Sequence, residues 1–387
     1  MSKKKSKIKL AQEQAASAID KTNENIYELG TYTSSLYDAL TTIQKTFDEI
    51  RNVPNEKRLE YEKLKEIRLN WKLQAEKIES DYKNATAKHA GKGAAGAGVG
   101  VAVVAFGPTV AMGIATTFGV ASTGTAISAL SGAAATNAAL AWLGGGALAA
   151  GGGGMAVGNA LLALAGPIGW AIAGTAIVVS GLLLWKGKSD KNRLEDIFTL
   201  ISKRDVKSYE LAIVEITERK SRIVDESQRL NCASEKTREF GLDYNLMTEP
   251  QQYELGSYVN LMNSSTQLLV NPIAGLQPKF DENDLKDYLA FSKKKIDDKQ
   301  NPLIVFLSNL LYKIDLDEKD KRLLWKSFKG NKKFLSSIGT SKKDFEFSII
   351  ETASDALEHK YSSEEIDKNS NDRKGNDWHC ENGVTKR

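Results

Sequence analysis

An all-α fold is predicted for this chain: long amphipathic, coiled-coil arms flanking a glycine-rich transmembrane helical hairpin, followed by a C-terminal helical domain. Three observations predict it. Apolar residues recur at alternating steps of four and three over the first fifty positions, and helical spacing returns after position 205. Between these stretches, residues 93–185 contain no Asp, Glu, Lys, Arg or His. After Pro250, short amphipathic stretches alternate with Pro and Gly breakers, the pattern of a compact helical unit.

The first arm and a basic tail occupy residues 1–92. Its seam reads Ile8, Gln12, Ala15, Ile19, Thr22, Ile26, Leu29, Thr33, Leu36, Leu40, Ile43, Phe47 and Ile50. Such a period draws one helical stripe toward a partner helix. Gln12, Thr22 and Thr33 weaken the stripe, which favours packing within the chain over a tight parallel zipper. Pro54 then interrupts the helix, because it lacks a donor and disfavours helix at the preceding residue. Helical spacing resumes at Tyr61, Leu64, Ile67, Trp71, Ala75, Ile78 and Tyr82.

Residues 93–185 are expected to form a membrane segment of two to four helices. A transmembrane helix needs about 20 uncharged residues, so a block of roughly 90 has room for several crossings. About two-thirds of the 31 glycines of the chain lie here. Residues 166–185 are the best single span, with Trp170 and Trp185 placed for the two bilayer interfaces. A first candidate covers 94–121 and contains Pro108, while the middle, 122–154, is poorer in large side chains. Gly96 and Gly100, Gly154 and Gly158, and Ala165, Gly169 and Ala173 lie at four-residue spacing, which permits close helix approach. The expectation is a homo-oligomer in a lipid bilayer. Lys92 on one side and Lys186 and Lys188 on the other mark the membrane interface, and both flanks are therefore expected on the cytoplasmic side of an inner or plasma membrane.

The second arm, 186–248, repeats the spacing at Val206, Tyr209, Ile213, Ile216, Ile223 and Leu230, with Lys220 and Ser227 as polar members. The simplest arrangement has one arm entering and one leaving the block, antiparallel to each other. The C-terminal domain, 249–361, has candidate helices at 251–270, 281–295, 302–314, 318–328 and 344–359, with Asp281 and Ser341 as N-caps. Trp325, Phe328, Phe334 and Phe345 fall on its core faces, which reads first as a structural bundle, with a recognition module for a protein partner as the alternative. The polar tail, 362–387, is expected to be disordered.

A net charge of +4 over 387 residues is too small for a nucleic-acid binder, which needs clustered Lys and Arg on one face. The dense basic run Lys3, Lys4, Lys5 and Lys7 reads as a solvated end or as a contact for anionic lipid. Cys232 and Cys380 make no disulfide framework, consistent with a reducing compartment. No apolar stretch follows the basic N-terminus, so no secretory signal peptide is expected.

Two amphipathic arms around a glycine-rich apolar hairpin resemble the architecture of helical membrane-active proteins, including α-helical pore-forming toxins and type III secretion translocators. The stretch from GTAISALSG to GPIGWAIAG also resembles glycine-rich hydrophobic segments that recur in bacterial proteins. The resemblance covers 93–185 and the arms, and it implies insertion into a membrane, with a pore as one outcome and a membrane-anchored scaffold as the alternative. A third possibility is a soluble form that keeps the glycine-rich helices packed inside its own bundle, covered by Leu36, Leu40, Ile213 and Ile216, until triggered.

Other motifs lead nowhere chemical. Gly91 to Gly96 reads GKGAAG, yet a helical pattern precedes it where a dinucleotide site needs a strand. Asp315, Asp317, Glu318 and Asp320 lack the glycine and closing glutamate of a calcium loop and suit a helix N-terminus. His379 and Cys380 are two adjacent ligands in a tail, and His89 and His359 have no evident partners. With no nucleophile, base and orienter in view, no enzyme, cofactor or metal is expected.

Overall fold

A computed structural model describes residues 7–90, 108–118, 187–332, 335 and 340–380 of the chain. The described regular structure is helical, as expected, with one isolated bridge between Arg51 and Asp243 and no strand. Helix α1 spans Lys7–Asp48, α2 Asn55–Ala90, α3 Pro108–Phe118 and α4 Lys188–Glu239; α5 covers Glu249–Val270, α6 Glu282–Ser292, α7 Asn301–Leu311, α8 Glu318–Gly330 and α9 Phe347–Cys380. At about 1.5 Å per residue, the 52 residues of α4 run roughly 78 Å.

The seam of α1 is the spine of the bundle. Ile26, Leu29, Leu36, Leu40 and Ile43 are all fully buried, as are Thr22 and Thr33. Each threonine returns its hydroxyl to its own helix, Thr22 to the Ala18 carbonyl at 2.8 Å and Thr33 to the Gly30 carbonyl at 3.1 Å. The polar members of the seam are thus satisfied locally and tolerate burial. Gln12 lies in α1, but its side chain is outside the described residues.

Helices α1 and α2 form an antiparallel hairpin: Lys65 meets Asp48 at 2.8 Å, Arg68 reaches the Leu40 carbonyl, and the Trp71 ring lies 5.8 Å from that of Tyr37. Pro54 sits between them, where the sequence places the break. Helix α4 takes α1 as its main partner and runs parallel to it, with Lys220 held by Asn25 and Glu28 at one level and Ser234 bonded to Thr46 at another. The entering helix α2 and the leaving helix α4 do point in opposite directions, but α1 is the helix each of these contacts joins. The α1–α2 turn is stitched to the α4–α5 turn by backbone bonds from Arg51 to Leu242 and from Tyr244 to Arg51.

Two apolar cores follow. The larger joins α1, α2, α3, α4 and α5. The smaller joins Ile8 and the first turns of α4, through Leu194, Ile197, Phe198 and Ile201, to α6, α7, α8 and α9. Helix α5, which opens the C-terminal domain in the sequence reading, packs instead with the arms through Leu255, Met262 and Leu268 to Val270. Its apolar positions match the bundle face as well as they match a separate domain, so periodicity alone assigns it to neither. In the smaller core Phe328 and Phe345 are fully buried and Trp325 is partly buried, its Nε1 donating to the Phe345 carbonyl; Phe334 lies outside the described residues.

Two local readings change and a third holds. Ser341 accepts from the Lys343 and Asp344 amides in a turn, and the helix begins at Phe347. Helix α9 continues through 362–380, a stretch expected to be disordered from its polarity; polar composition does not prevent a helix whose start is anchored by Ile349, Ile350, Ala353 and Leu357 in the core. Asp281 caps α6 as expected, accepting from the Asn283 and Asp284 amides.

Candidate functional site

The one described helix of the uncharged block is α3, and it is enclosed. Its eleven residues carry no charge, and every residue from Val110 to Thr117 is buried. A helix apolar all round must be covered all round, and α1, α2 and α5 do so. Pro108, its first residue, supplies no amide donor, which costs nothing at a helix start.

Two glycines permit a close approach of α3 to α1. A Cβ added to Gly113 would lie 2.2 Å from the Ile26 carbonyl oxygen and 2.9 Å from the Gly30 nitrogen. One added to Gly30 would lie 2.0 Å from the Thr109 carbonyl oxygen. No side chain fits on either residue, so α1 and α3 cross backbone to backbone, antiparallel, in the manner of small-residue crossings in membranes. Gly30 is the only glycine in α1. An isolated glycine inside a helix costs about 1 kcal/mol relative to alanine, and it signals a packing reason. That signal was present in the sequence, but the partner was not.

The C-terminal end of α3 is held by the 271–277 segment, which links α5 to α6. The last carbonyls of a helix lack partners within it; here the Thr117 carbonyl accepts the Ile273 amide at 2.8 Å, with the Gln277 side chain at 3.5 Å. Ile273 and Leu276 are fully buried in the bundle core. Helix α4 grips this segment in turn. The Glu215 carboxylate accepts the Ala274 and Gly275 amides at 3.0 and 3.3 Å, and Arg219 donates to the Asn271 and Pro272 carbonyls. Gly275 rests on α4 itself, since a Cβ there would lie 2.9 Å from the Ala212 nitrogen.

The α1–α2 interface in the same core holds a cation that meets no carboxylate among the described residues. Arg68 is 3 % exposed, donates to the Leu40 carbonyl at 3.1 Å, and leaves Nε unbonded among the described residues. Burial pulls its pKa below the usual arginine value, against the opposing influence of Tyr37 and Asp48. Trp71, fully buried one turn on, also has an unbonded Nε1. Where α4 passes between the cores, Asp205 is buried beside Arg204, and Arg204 also donates to the Leu310 and Tyr312 carbonyls at the end of α7.

Of the residues expected to act in the membrane, Gly96, Gly100, Gly154, Gly158, Ala165, Gly169, Ala173, Trp170, Trp185, Lys92 and Lys186 lie outside the described residues; Lys188 is the first residue of α4. The GKGAAG run is outside them as well. Among the described residues no helix is long and apolar enough to cross a membrane, and no group of His, Cys, Asp or Glu is arranged to hold a metal ion. The acidic run is a helix start: Asp317 caps α8, Asp320 returns a bond to it, and Arg193 of α4 takes both carboxylates. His359 stacks on Phe291 with ring centroids 4.5 Å apart. Compared with known proteins, the chain matches no protein-family model, no curated protein and no solved structure.

Proposed function

We propose that this chain is a membrane-inserting helical protein with a stored state, in which the arms shelter part of the uncharged segment, and an inserted state, in which the segment enters a bilayer and copies associate through its small-residue pairs. The burial of α3 from Val110 to Thr117, beneath arms that otherwise carry the charge, is the observation that supports it. An apolar helix of the block already has a protein environment to leave. Its cover is centred on Ile26 and Gly30, two to three turns before the Leu36 and Leu40 face that sequence alone suggested. A pore is the outcome if inserted copies close a ring; a membrane-anchored scaffold is the outcome if they do not.

Thr117→Cys with Ile273→Cys, in a background lacking Cys232 and Cys380, tests the idea, because their backbones are hydrogen-bonded and a disulfide between them would pin the end of α3. The reduced protein is expected to float with liposomes and release trapped dye. The oxidised protein should do neither until reductant is added. Flotation without dye release supports the scaffold, and absence of flotation in both forms removes membrane insertion altogether.

A further inference from the structure

We propose that the 271–277 segment is a latch through which α4 holds α3 in place, and that α3 is released by breaking the latch before the bundle itself opens. The proposal rests on the reading that α3 leaves its site, and it specifies how that departure is controlled.

Three observations converge on this short segment. Its upper face closes α3, through the Ile273 amide on the Thr117 carbonyl. Its lower face is bound to α4 by groups of both signs, with Glu215 on two amides and Arg219 on two carbonyls. Its tip, Gly275, fits the α4 backbone so closely that no side chain can enter. The segment therefore sits between the arm and the apolar helix and is matched to both.

The order of release follows from where solvent reaches. A groove of about 460 Å³ between α4 and α5 is lined by Glu215, Arg219 and Asn271; the Glu215 side chain is 32 % exposed and Arg219 only 11 %, so water has access to the acidic half of the latch. The Gly30–Gly113 crossing has none, with Ile26, Leu29, Ala111 and Ile114 around it fully buried. Charge-assisted hydrogen bonds are strong when dry and weaken where water competes. The latch is thus the part of α3's hold that opens at least cost, and displacement of α4 along its axis would strain it first.

A cysteine at Met112, in the background lacking Cys232 and Cys380, reports the exposure of α3 by its rate of modification with a soluble thiol reagent in the absence of lipid. Glu215→Ala and Gly275→Val break the latch from its two sides. Glu226→Ala serves as reference, since Glu226 bonds Ser264 and Ser265 across the same α4–α5 interface away from the latch. Loss of two charge-assisted bonds should speed labelling about ten-fold or more in the latch variants. The reference should label at the parent rate. Equal acceleration in all three, or labelling that rises only as far as the global unfolding equilibrium demands, overturns the latch. If Gly275→Val does not fold, Glu215→Ala alone decides. Because no membrane is present, faster labelling with no liposome binding would retain the latch and remove the insertion reading.

Discussion

Gly30 of α1 and Gly113 of α3 face each other where the two backbones cross: a Cβ on Gly113 would lie 2.2 Å from the Ile26 carbonyl oxygen and 2.9 Å from the Gly30 nitrogen, and one on Gly30 would lie 2.0 Å from the Thr109 carbonyl oxygen and 3.2 Å from the Gly113 nitrogen. The contact explains a glycine in the middle of a 42-residue helix. It also yields a comparison with opposite signs. Gly113→Ala and Gly30→Ala must push two helices apart, and overpacking of that kind costs about 1–3 kcal/mol or more, even though alanine is the better helix former at position 30. Gly256 lies exposed in α5 with nothing within 4 Å of an added Cβ. Gly256→Ala should therefore stabilise by about 0.5–1 kcal/mol. Chemical denaturation of the three variants checks the signs; a neutral Gly113→Ala would mean that the crossing is not tight.

Arg68 should be dispensable for stability although it is almost wholly buried. It donates to the Leu40 carbonyl and lies over the Tyr37 ring, its Nε is unbonded among the described residues, and burial disfavours its charge. A buried ion without good compensation is often replaced by an apolar side chain of similar length at no loss. Arg68→Met is expected to leave stability unchanged or raise it by about 1–2 kcal/mol, whereas Arg68→Ala should lower it by leaving a cavity. A large loss in Arg68→Met, measured by urea unfolding, would show that the guanidinium has a role the core geometry does not reveal.

Most of the bundle spine was legible in the sequence. The four-three period picked out Ile26, Leu29, Leu36, Leu40 and Ile43, all fully buried, and it also picked out Thr22 and Thr33. What a period cannot encode is the partner. Nothing at Gly30 says that Gly113 will meet it, and nothing in the α4 seam says that α1 will lie beside it in parallel. The same limit explains α5, whose apolar face fits either core. Arg68 was missed for a different reason: it falls beside Trp71 on the buried face, where the pattern predicts an apolar residue and charge predicts exposure. The latch was illegible because it consists of backbone amides and carbonyls, which every residue has; only Gly275 left a mark, as one glycine in a loop of ordinary composition.

Acid titration should separate two aspartates. Burial raises the Asp205 pKa above its ordinary 3.8, with the Arg204 charge and hydrogen bond opposing the shift only in part. The folded state then binds a proton before the unfolded state does, so this group contributes stability gained as pH falls from the folded pKa toward 3.8. At Asp48 burial acts upward too, but the hydrogen bonds from Lys65 and Gln44 outweigh it and lower the pKa. Its contribution is present above pH 3.8 and is lost as pH falls through the lowered value. Asp205→Asn should remove a stability gain in the upper window, and Asp48→Asn should flatten part of the loss in the lower one. Denaturant midpoints recorded across acid pH distinguish them; an unchanged profile in Asp205→Asn would place its carboxyl in contact with water.

The most severe single substitution expected outside the arms is at Asn309, fully buried at the centre of the smaller core. Its Oδ1 accepts the Lys279 and Phe280 amides, both at 2.8 Å, and its Nδ2 donates to the Phe280 carbonyl at 2.6 Å and the Val305 carbonyl at 2.9 Å. One side chain thus ties the loop before α6 to α7. Asn309→Ala leaves two amides of that loop without partners, one of them on fully buried Phe280, and each unpaired buried group costs about 1–3 kcal/mol, so a total of roughly 3–5 kcal/mol is expected. Asn309→Asp keeps the acceptor and loses the donors, while adding a buried charge, so it should be no milder at neutral pH and should recover as the carboxyl is protonated. Hydrogen exchange localises the effect. Faster exchange should appear in α7 and in the first turns of α4 and α9, which share this core, with the Gly30–Gly113 region unchanged; uniform acceleration through α1 would instead mean that the two cores unfold as one.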